Sequence, residues 1–422
     1  MPRHLTNGPA AGLWLIFWAA AACGSDLRAG LARASIPAER GSTLAGFRQP
    51  ATGVHDPLQA RALVLRSASA SVAIVACDLH SFSSQRVAQE AKRRTGIELV
   101  LLACSGSFSA PGLPARWTGY EQWALRAEDA ILDAIEKANA NMFPARVGAT
   151  TIAVDIAYNW RAIDEYGRLT MLWRNPERRP GGPVLKSAAV WRIEDQNGAL
   201  RGVVFHTACR ASTFHSDGQI SADYPGVAVR RVEADLGGGV FGLFLQGASG
   251  NAVPYVNEQA GEVLGAAVAR AARSIRVTAE PVCSLQTYRN PMKLRERWRK
   301  KDLVSTETAT VVINRKLALA SMPGAPFIEH QIALADRSPI PGTLLLGHTF
   351  AENSGWAGIL PTIRGAAEGG YGASGGDTSL EVGAGEAMVD AALVNIYQAL
   401  GKLDELPRGP LVRETPPEKI LR

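Results

Sequence analysis

The chain has 422 residues, of which 46% are hydrophobic and 20% are charged. This length and composition predict a globular protein built as one large domain or two closely joined ones, and they exclude a chain too small to bury a core. The formal net charge of +6 is spread along the chain, so no nucleic-acid partner is expected.

The N-terminus predicts an export signal over residues 1–23. Arg3 and His4 precede an apolar run at residues 12–22, which is too short to span a membrane comfortably. The run ends in alanines directly before Cys23, as at the cleavage site of a secretory signal peptide. Cys23 also stands where bacterial lipoproteins carry a lipidated cysteine, so lipidation and plain cleavage both stay open. We therefore expect an exported protein: periplasmic, attached to the envelope and membrane through lipidated Cys23, or secreted.

The first half of the chain predicts a strand-strand-helix-strand-helix order. The predicted elements are strands at residues 62–65 and 72–77, a helix at 83–95, a strand at 98–104, a loop at 112–118 and a helix at 120–141. Trp123, Leu125, Ile131, Leu132 and Ile135 supply the expected apolar face of the second helix. This order indicates an α/β fold in layers, with strands that are at least partly parallel.

The second half continues in the same style. Strands are predicted at residues 188–193 and 202–207 around a turn at Asn197, then a helix from near Pro225, a strand at 240–246, a helix at 258–275, strands at 327–334 and 343–347, a loop at 368–385 and a helix at 386–400. A dense basic run is interpreted as the solvated face of a helix, with contact to an anionic membrane surface or ligand as the alternative. Its members are Lys293, Arg295, Arg297, Arg299, Lys300 and Lys301. No inter-domain linker is found, so a single domain over residues 27–402 and a loose tail at 403–422 are expected.

Six blocks carry a resemblance to a known family. They are residues 53–65 (GVHDPLQARALVL), 75–79 (VACDL), 220–226 (ISADYPG), 244–251 (FLQGASGN), 360–362 (LPT) and 368–371 (EGGY). In this order they resemble the N-terminal catalytic domain of the neutral/alkaline, non-lysosomal ceramidases. The resemblance implies a layered ceramidase-like α/β domain with mixed sheets and flanking helices. Longer family members add a C-terminal β-sandwich domain, which is not expected here.

The resemblance also implies where a zinc site should lie. Family members hold one zinc through two His, one Glu and one Tyr, and the metal activates the water that hydrolyses the amide of an N-acylsphingosine. The corresponding positions here are Gly106 and Phe108, Arg210, Ala325, and Trp356 or Ile359, while Val253 stands at the position of the catalytic Ser. An Arg side chain stays protonated and has no lone pair for a metal. We therefore predict a degenerate zinc site, no cofactor and loss of this hydrolysis, that is, a pseudoenzyme.

The former cleft is predicted to bind a lipid or an anionic small molecule instead, with Arg210 and Arg161 as the binding residues. Two other functions stay open: an active amidohydrolase with a rearranged metal site, and a structural or partner-binding envelope lipoprotein. The fallback metal ligands are His206, His215 and Asp217, with Asp223 as a further carboxylate.

Three further hypotheses concern Ser249, the pair His55 and Asp56, and the cysteines. Ser249 lies in a turn that faintly resembles a nucleophile elbow, although Asn251 breaks the pattern. His55 and Asp56 are expected to brace a loop. Apart from Cys23, the cysteines are Cys77, Cys104, Cys209 and Cys283; they permit three disulfide pairings or buried free thiols. Cys104 and Cys209 are expected close together, as a disulfide or as two free thiols.

Overall fold

The structure is a computed structural model that describes residues 27–46, 49–112, 119–213, 218–255, 259–278, 284–299 and 302–405. The predicted signal with Cys23 lies outside the described residues, as do His215, Asp217, Cys283, Lys300 and Lys301. Of the predicted tail, only a short 3-10 helix at Leu403–Glu405 is described.

The described chain alternates strands and helices from end to end. The strands are β1 (Arg28–Ile36), β2 (Gly53–Val54), β3 (Leu58–Arg66), β4 (Ser71–Cys77), β5 (Leu99–Cys104), β6 (Phe143–Ala153), β7 (Ala157–Asn159), β8 (Arg161–Ile163), β9 (Leu169–Met171), β10 (Ser187–Asp195), β11 (Leu200–Thr207), β12 (Gln219–Ile220), β13 (Phe241–Gln246), β14 (Ala252–Pro254), β15 (Leu285–Arg295), β16 (Leu303–Ile313), β17 (Leu317–Ser321), β18 (Ala325–Pro326), β19 (Leu344–Leu346), β20 (Thr349–Phe350) and β21 (Ile359–Leu360). The helices are α1 (Gln85–Thr95), α2 (Tyr120–Ala140), α3 (Asp223–Leu236), α4 (Gln259–Ser274), α5 (Ile328–Arg337), α6 (Ile363–Glu368) and α7 (Ala384–Ala399), with a 3-10 turn at Gly375–Asp377.

A nine-stranded mixed sheet forms the centre of the molecule, in the order β13-β11-β10-β6-β1-β3-β4-β5-β20. The pairs β11–β13 and β4–β5 are parallel, and the other pairs are antiparallel. β4 and β5 are buried along their whole length, as their continuous apolar sequences require. Both faces of this part of the sheet are therefore covered.

Four layers result from the packing of this sheet. One face packs against α1 and α2 over one half and against α3 and α4 over the other. The opposite face packs against a second sheet, β15-β16-β17-β19. The far face of the second sheet is covered by α5 and α7. Each sheet thus buries one apolar face against the other and one against helices, which is a stable way to build a large α/β core.

Most predicted elements are confirmed to within a few residues. The strands β3, β4, β5, β10, β11, β13 and β19 and the helices α1, α2, α3, α4 and α7 lie where the apolar patterns place them. Ser84 begins α1, because its Oγ accepts a hydrogen bond from the backbone N–H of Val87 at 3.1 Å, and Gly96 ends it at φ 70°. Leu125 is an exception to the predicted apolar face of α2, since its side chain is 52% exposed.

Two predicted elements are wrong. Residues 327–334, predicted as a strand, belong to helix α5, in which Ile328, Gln331 and Leu334 recur every three residues and are buried on one face. The basic run predicted as a helical face is the end of strand β15 and the turn after it. Lys293 and Arg295 are exposed at alternate positions of that strand, a period of two that belongs to sheet and not to helix.

The described residues include no separate β-sandwich domain, as predicted. A search of the same residues finds no helix that combines the length and the apolar character needed to cross a bilayer.

Candidate functional site

A cavity of about 700 Å³ opens where three strands of the large sheet end; we call it the Arg210 cavity. The loop after β5 carries Phe108, the loop after β11 carries Arg210, and the loop after β13 leads to Val253. The described lining residues are Phe108, Tyr158, Trp160, Trp173, Arg174, Pro176, Arg210, Ser212, Thr213, Val253, Pro254, Tyr255 and Tyr371. They include no Asp or Glu.

Backbone hydrogen bonds hold the ends of these strands together. The N–H of Gly347 donates to the carbonyl of Gln246 at 3.0 Å, and the N–H of Cys104 donates to the carbonyl of His348 at 2.9 Å. The same short segment therefore joins the ends of β13 and β5. This arrangement matches the general tendency of α/β sheets to bind ligands beyond the ends of their strands.

The Arg210 guanidinium lies among aromatic rings. Its central carbon is 4.0 Å from the centre of the Phe108 ring, 4.9 Å from that of Trp160 and 5.8 Å from that of Tyr371. Such contacts stabilise a cation that has left bulk water. Burial nevertheless lowers the pKa of Arg210, with Tyr371 acting in the opposite direction.

Some hydrogen-bond donors on the side chains that line this cavity have a distant partner or none among the described residues. Arg210 Nη2 donates to Tyr371 Oη at 3.4 Å, which is a long hydrogen bond. Arg210 Nη1 is buried and has no hydrogen-bond partner among the described residues. The indole Nε1 of Trp160 is also buried, and within the described part of the chain it too has no partner.

A second layer of rings lies directly behind Phe108. His80 packs edge-on against Phe108 at 5.0 Å, against His348 at 5.1 Å and against Trp356 at 5.1 Å between ring centres. His348 Nδ1 donates to the carbonyl of His80 at 2.8 Å. Burial lowers the pKa of His80 well below its ordinary value and that of His348 to about 4, so both rings are neutral at physiological pH.

The predicted site positions converge on this region. Phe108, Arg210 and Val253 line the Arg210 cavity. Gly106 lies against His348, since a Cβ added there would be 3.1 Å from the imidazole Nε2. Ala325 pairs with Ile359 in the short sheet β18–β21, and Trp356 packs against that pair.

These residues do not fit a zinc ion. No predicted ligand position carries a metal-binding side chain, and the guanidinium of Arg210 would repel a divalent cation. Across the described ranges, no three His, Cys, Asp or Glu side chains form a group that could hold a metal. The absence of a cofactor stays a prediction.

Arg161 lies beside the cavity in a different environment. Its Nη1 donates to the carbonyl of Gly369 at 2.7 Å, and its Nη2 reaches the carbonyl of Gly365 at 3.3 Å and a carboxylate oxygen of Glu368 at 3.2 Å. Its guanidinium lies over the ring of Phe327. Arg161 thus ties strand β8 to the loop after α6, and its role in ligand binding stays a prediction.

Among the fallback metal and nucleophile positions, His206, Asp223 and Ser249 are buried. His206 is buried, its Nε2 donates to the carbonyl of Leu345 at 2.9 Å, and burial lowers its pKa to about 4. His215 and Asp217 lie outside the described residues. Asp223 accepts hydrogen bonds from the backbone N–H and the hydroxyl of Thr213. Ser249 is buried.

Asp56 braces a loop, as predicted. Its carboxylate accepts hydrogen bonds from Ser221 Oγ at 2.6 Å and from the backbone N–H of Ala222 at 3.2 Å. His55 Nδ1 lies 2.9 Å from the same carboxylate. These contacts fix the turn that begins helix α3.

The described cysteines are free thiols in two separate places. Cys77 and Cys104 lie opposite each other in the parallel strands β4 and β5. A hydrogen bond with Cys104 and burial together raise the pKa of Cys77. Cys209 belongs to a different apolar cluster, where burial raises its pKa. Cys104 has Cys77 as its neighbour in the adjacent strand, and no disulfide joins Cys104 to Cys209. The expected proximity of Cys104 and Cys209 stays a prediction.

The sequence did not predict the aromatic walls of the cavity. Tyr158, Trp160 and Trp173 come from the region of β7, β8 and β9, for which no element was predicted, and Tyr255 follows β14. A usable signal was present, because Tyr158 and Trp160 are spaced two apart and Trp173 follows within a short distance along the chain. Aromatic residues at this density are typical of a ligand pocket as well as of a core.

Fold and site together define a four-layer α/β domain with one aromatic, cationic cavity at the ends of its strands. No family model matches the chain, and no curated protein matches it. Solved structures do: the neutral ceramidase from Pseudomonas aeruginosa is 17% identical, with a TM-score of 0.70, covering 91% of this chain and 76% of that chain. A ceramidase complexed with C2 is 16% identical, with a TM-score of 0.70, covering 92% of this chain and 77% of that one.

The chain therefore contains a ceramidase-like domain. This confirms, at the level of the fold, the resemblance carried by the six sequence blocks. Identity this low establishes the architecture and leaves the activity to be argued from the site.

Proposed function

We propose that this ceramidase-like domain is an exported pseudoenzyme that binds a lipid or an anionic small molecule in the Arg210 cavity. Zinc-dependent hydrolysis of N-acylsphingosine is lost in this proposal. The observation that carries it is Arg210 itself, a permanent cation at the position of a predicted zinc ligand, whose Nη1 has no hydrogen-bond partner among the described residues. A cation at that place favours a negatively charged ligand as strongly as it disfavours a metal.

The shape of the cavity supports the same conclusion. Its volume of about 700 Å³ lies within the range of roughly 300–1,000 Å³ that is usual for small-molecule sites. Six of its thirteen described lining residues are aromatic, two are the arginines Arg174 and Arg210, and none is acidic. Aromatic walls favour an apolar body, and the guanidinium of Arg210 favours a negative head.

An active amidohydrolase with a rearranged metal site is the second candidate. It would use His206, His215 and Asp217. His206 is buried and its Nε2 donates to the carbonyl of Leu345, so only its Nδ1 would remain for a metal. An envelope lipoprotein with a structural or partner-binding role is the third candidate. The mass of the mature N-terminal peptide separates a lipidated Cys23 from plain signal cleavage.

Zinc content and ligand binding together test the leading proposal. The purified protein is incubated with zinc, desalted and assayed for bound metal and for N-acylsphingosine hydrolysis. We expect clearly less than one zinc per chain, no hydrolysis, and calorimetric binding of octanoate or octyl phosphate. One tightly held zinc per chain with turnover would contradict the proposal, and so would failure of both anionic probes to bind.

Two arginine variants provide the matched comparison. Arg210→Met should weaken binding of the anionic probes by about tenfold or more, because a hydrogen bond to a charged group contributes roughly 1.5–3 kcal/mol. Arg174→Met, at the exposed rim, should change it by no more than about twofold. The melting temperature of Arg210→Met should not fall, since the variant removes a partly desolvated guanidinium with an unsatisfied donor.

A further inference from the structure

Two buried donors without acceptors line the same cavity. Arg210 Nη1 and Trp160 Nε1 both lack a hydrogen-bond partner within the described part of the chain, and Trp160 is only 7% exposed. The Arg210 guanidinium lies 4.9 Å from the centre of the Trp160 ring, so the two donors belong to one small region. A buried donor left without an acceptor is unfavourable by roughly 1–3 kcal/mol, and native proteins seldom keep two together without a reason.

The chemistry of the two donors selects the group that would satisfy them. Neither a guanidinium nor an indole N–H can accept a hydrogen bond, so the missing partner must be an acceptor. A positive charge beside Arg210 is disfavoured, and the described lining offers no carboxylate that could receive a cation. An oxygen that carries negative charge satisfies both donors and the charge of Arg210 at once.

The residues around the two donors indicate that the rest of the ligand is apolar. Trp160 packs edge-on against Tyr371 at 5.1 Å and against Trp173 at 5.5 Å between ring centres. Trp173 is 59% exposed, so this aromatic wall runs from the buried donors to solvent. A ligand with a charged head at Arg210 would therefore lay an apolar body along the wall toward the opening.

We propose that the Arg210 cavity binds an amphiphilic oxyanion, with Trp160 Nε1 and Arg210 Nη1 as a pair of donors to its negatively charged head. The inference rests on the proposed function, because it assumes that the cavity binds a ligand. It adds the ligand class and makes Trp160 a residue that determines specificity. A carboxylate and a phosphate monoester share the required chemistry.

Calorimetry on the full chain with three eight-carbon probes tests this pair. Octanoate and octyl phosphate carry oxyanions, and octanamide is a neutral analogue with the same chain length. Trp160→Phe keeps an aromatic ring in place and removes the indole N–H together with part of the ring system. Trp173→Phe makes the same change at the exposed end of the wall and is the matched control. We expect Trp160→Phe to weaken the better oxyanion by about 5- to 20-fold and octanamide by less than about twofold, as for a hydrogen bond to a charged group. Trp173→Phe should leave the preference for the oxyanion unchanged.

A spectroscopic measurement keeps the test independent of variant stability. In protein labelled with nitrogen-15 at tryptophan, the Trp160 indole resonance should shift further on addition of octanoate than on addition of octanamide, because the neutral amide carbonyl is the weaker acceptor. The tighter of the two oxyanions identifies the head as a carboxylate or a phosphate, and either result supports the inference.

The failure of this inference differs from the failure of the proposed function. Octanamide binding as tightly as both oxyanions, or an oxyanion affinity that Trp160→Phe leaves unchanged, overturns the donor pair while ligand binding itself stands. Absence of binding by every probe, or zinc-dependent turnover, overturns the proposed function as well.

Discussion

Asp78 directly follows strand β4 and faces a second, charged cavity, together with Arg61, Arg230 and Glu233. Its carboxylate accepts a hydrogen bond from the backbone N–H of Gln59 at 2.9 Å. Burial raises the pKa of Asp78 from 3.8 to about 7, although Arg61 and the Gln59 hydrogen bond act in the opposite direction. The folded state binds this proton more tightly than the unfolded state. The contribution of Asp78 to the free energy of unfolding is therefore greatest below pH 3.8. It falls as the pH rises toward about 7.

Asp78→Asn should remove this loss of stability. Between pH 5 and pH 8 the free energy of unfolding of the variant should rise relative to that of the original protein by up to about 2–3 kcal/mol, and by less where solvent reaches the carboxylate. Urea unfolding at both pH values measures the difference. Asp336→Asn, at an exposed position on α5, is the control and should leave the pH profile unaltered. Parallel profiles for Asp78→Asn and the original protein would contradict this explanation.

The residue types in the sequence predicted Arg210 as a site residue, but they did not predict the role of Trp160. The substitution of Arg210 for a metal ligand was visible in the sequence, and Arg210 does lie in a cavity with Phe108 and Val253. The unpaired indole of Trp160 was not predictable, because a tryptophan next to a short strand is more often packed in a core than aimed at a ligand. Only the positions of its neighbours reveal that no acceptor among the described residues reaches it.

At the scale of the elements, helix α5 depends on a side chain from elsewhere in the chain. Phe327, at its N-terminus, has no side chain that can accept a hydrogen bond. Asn251, on the loop after β13, supplies the cap: its Oδ1 accepts from the backbone N–H of Ile328 at 2.7 Å, and its Nδ2 donates to Glu329 Oε2 at 2.8 Å. This is the residue that breaks the elbow-like pattern around Ser249, so its role is to join the loop to α5.

Asn251→Ala should therefore destabilise the protein. The variant leaves the backbone N–H of Ile328 and the carboxylate of Glu329 without these partners, and we expect the free energy of unfolding to fall by about 1–3 kcal/mol. Gln398→Ala, at an exposed position of α7, should change it by less than about 0.5 kcal/mol. Thermal unfolding followed by circular dichroism distinguishes the two, and equal effects would show that Asn251 is not a cap.

The errors at this scale have two causes, one for α5 and one for β16. The segment of α5 contains Ile328, Ile332 and Leu334, a short apolar pattern that fits a strand as well as a helix. Strand β16 was missed because Thr306, Glu307, Thr308 and Thr310 look like a polar loop, although all four are buried. Glu307 is tolerated there because Arg289 of the neighbouring strand pairs with it.

At the scale of the whole molecule, two sheets share one apolar core. Leu319 on β17 is fully buried between them, among side chains from β4, β5, β13 and β16. The core joins the first and last thirds of the sequence, which accounts for the absence of an internal linker. The two sheets are expected to unfold together.

Leu319→Ala should destabilise the protein, because Leu319 lies in this shared core. Removal of a fully buried Leu side chain is expected to lower the free energy of unfolding by about 2–5 kcal/mol. Leu125→Ala on the exposed side of α2 is the control, with an expected change of less than about 0.5 kcal/mol. Guanidinium unfolding followed by fluorescence measures both, and a minor effect of Leu319→Ala would contradict a common core.

The sequence by itself determined the fold class, seven of the 21 described strands, five of the seven described helices, and the nature of the residues at the predicted zinc positions. Those features depend on local periodicity, as in β4 and α4, or on the identity of a single side chain such as Arg210. Both can be read within a short window of sequence, because burial imposes a regular apolar pattern on each element.

Only the tertiary structure decided what surrounds Arg210. Phe108, Trp160 and Tyr371 are far apart in the chain and meet around Arg210. The end of β11 pairs with the end of β13, and Gly347 and His348 join the ends of β13 and β5. Whether a buried donor has an acceptor, and whether two cysteines or two histidines touch, depends on such long-range packing. No local pattern encodes it, so the cavity and its unsatisfied donors became visible only in three dimensions.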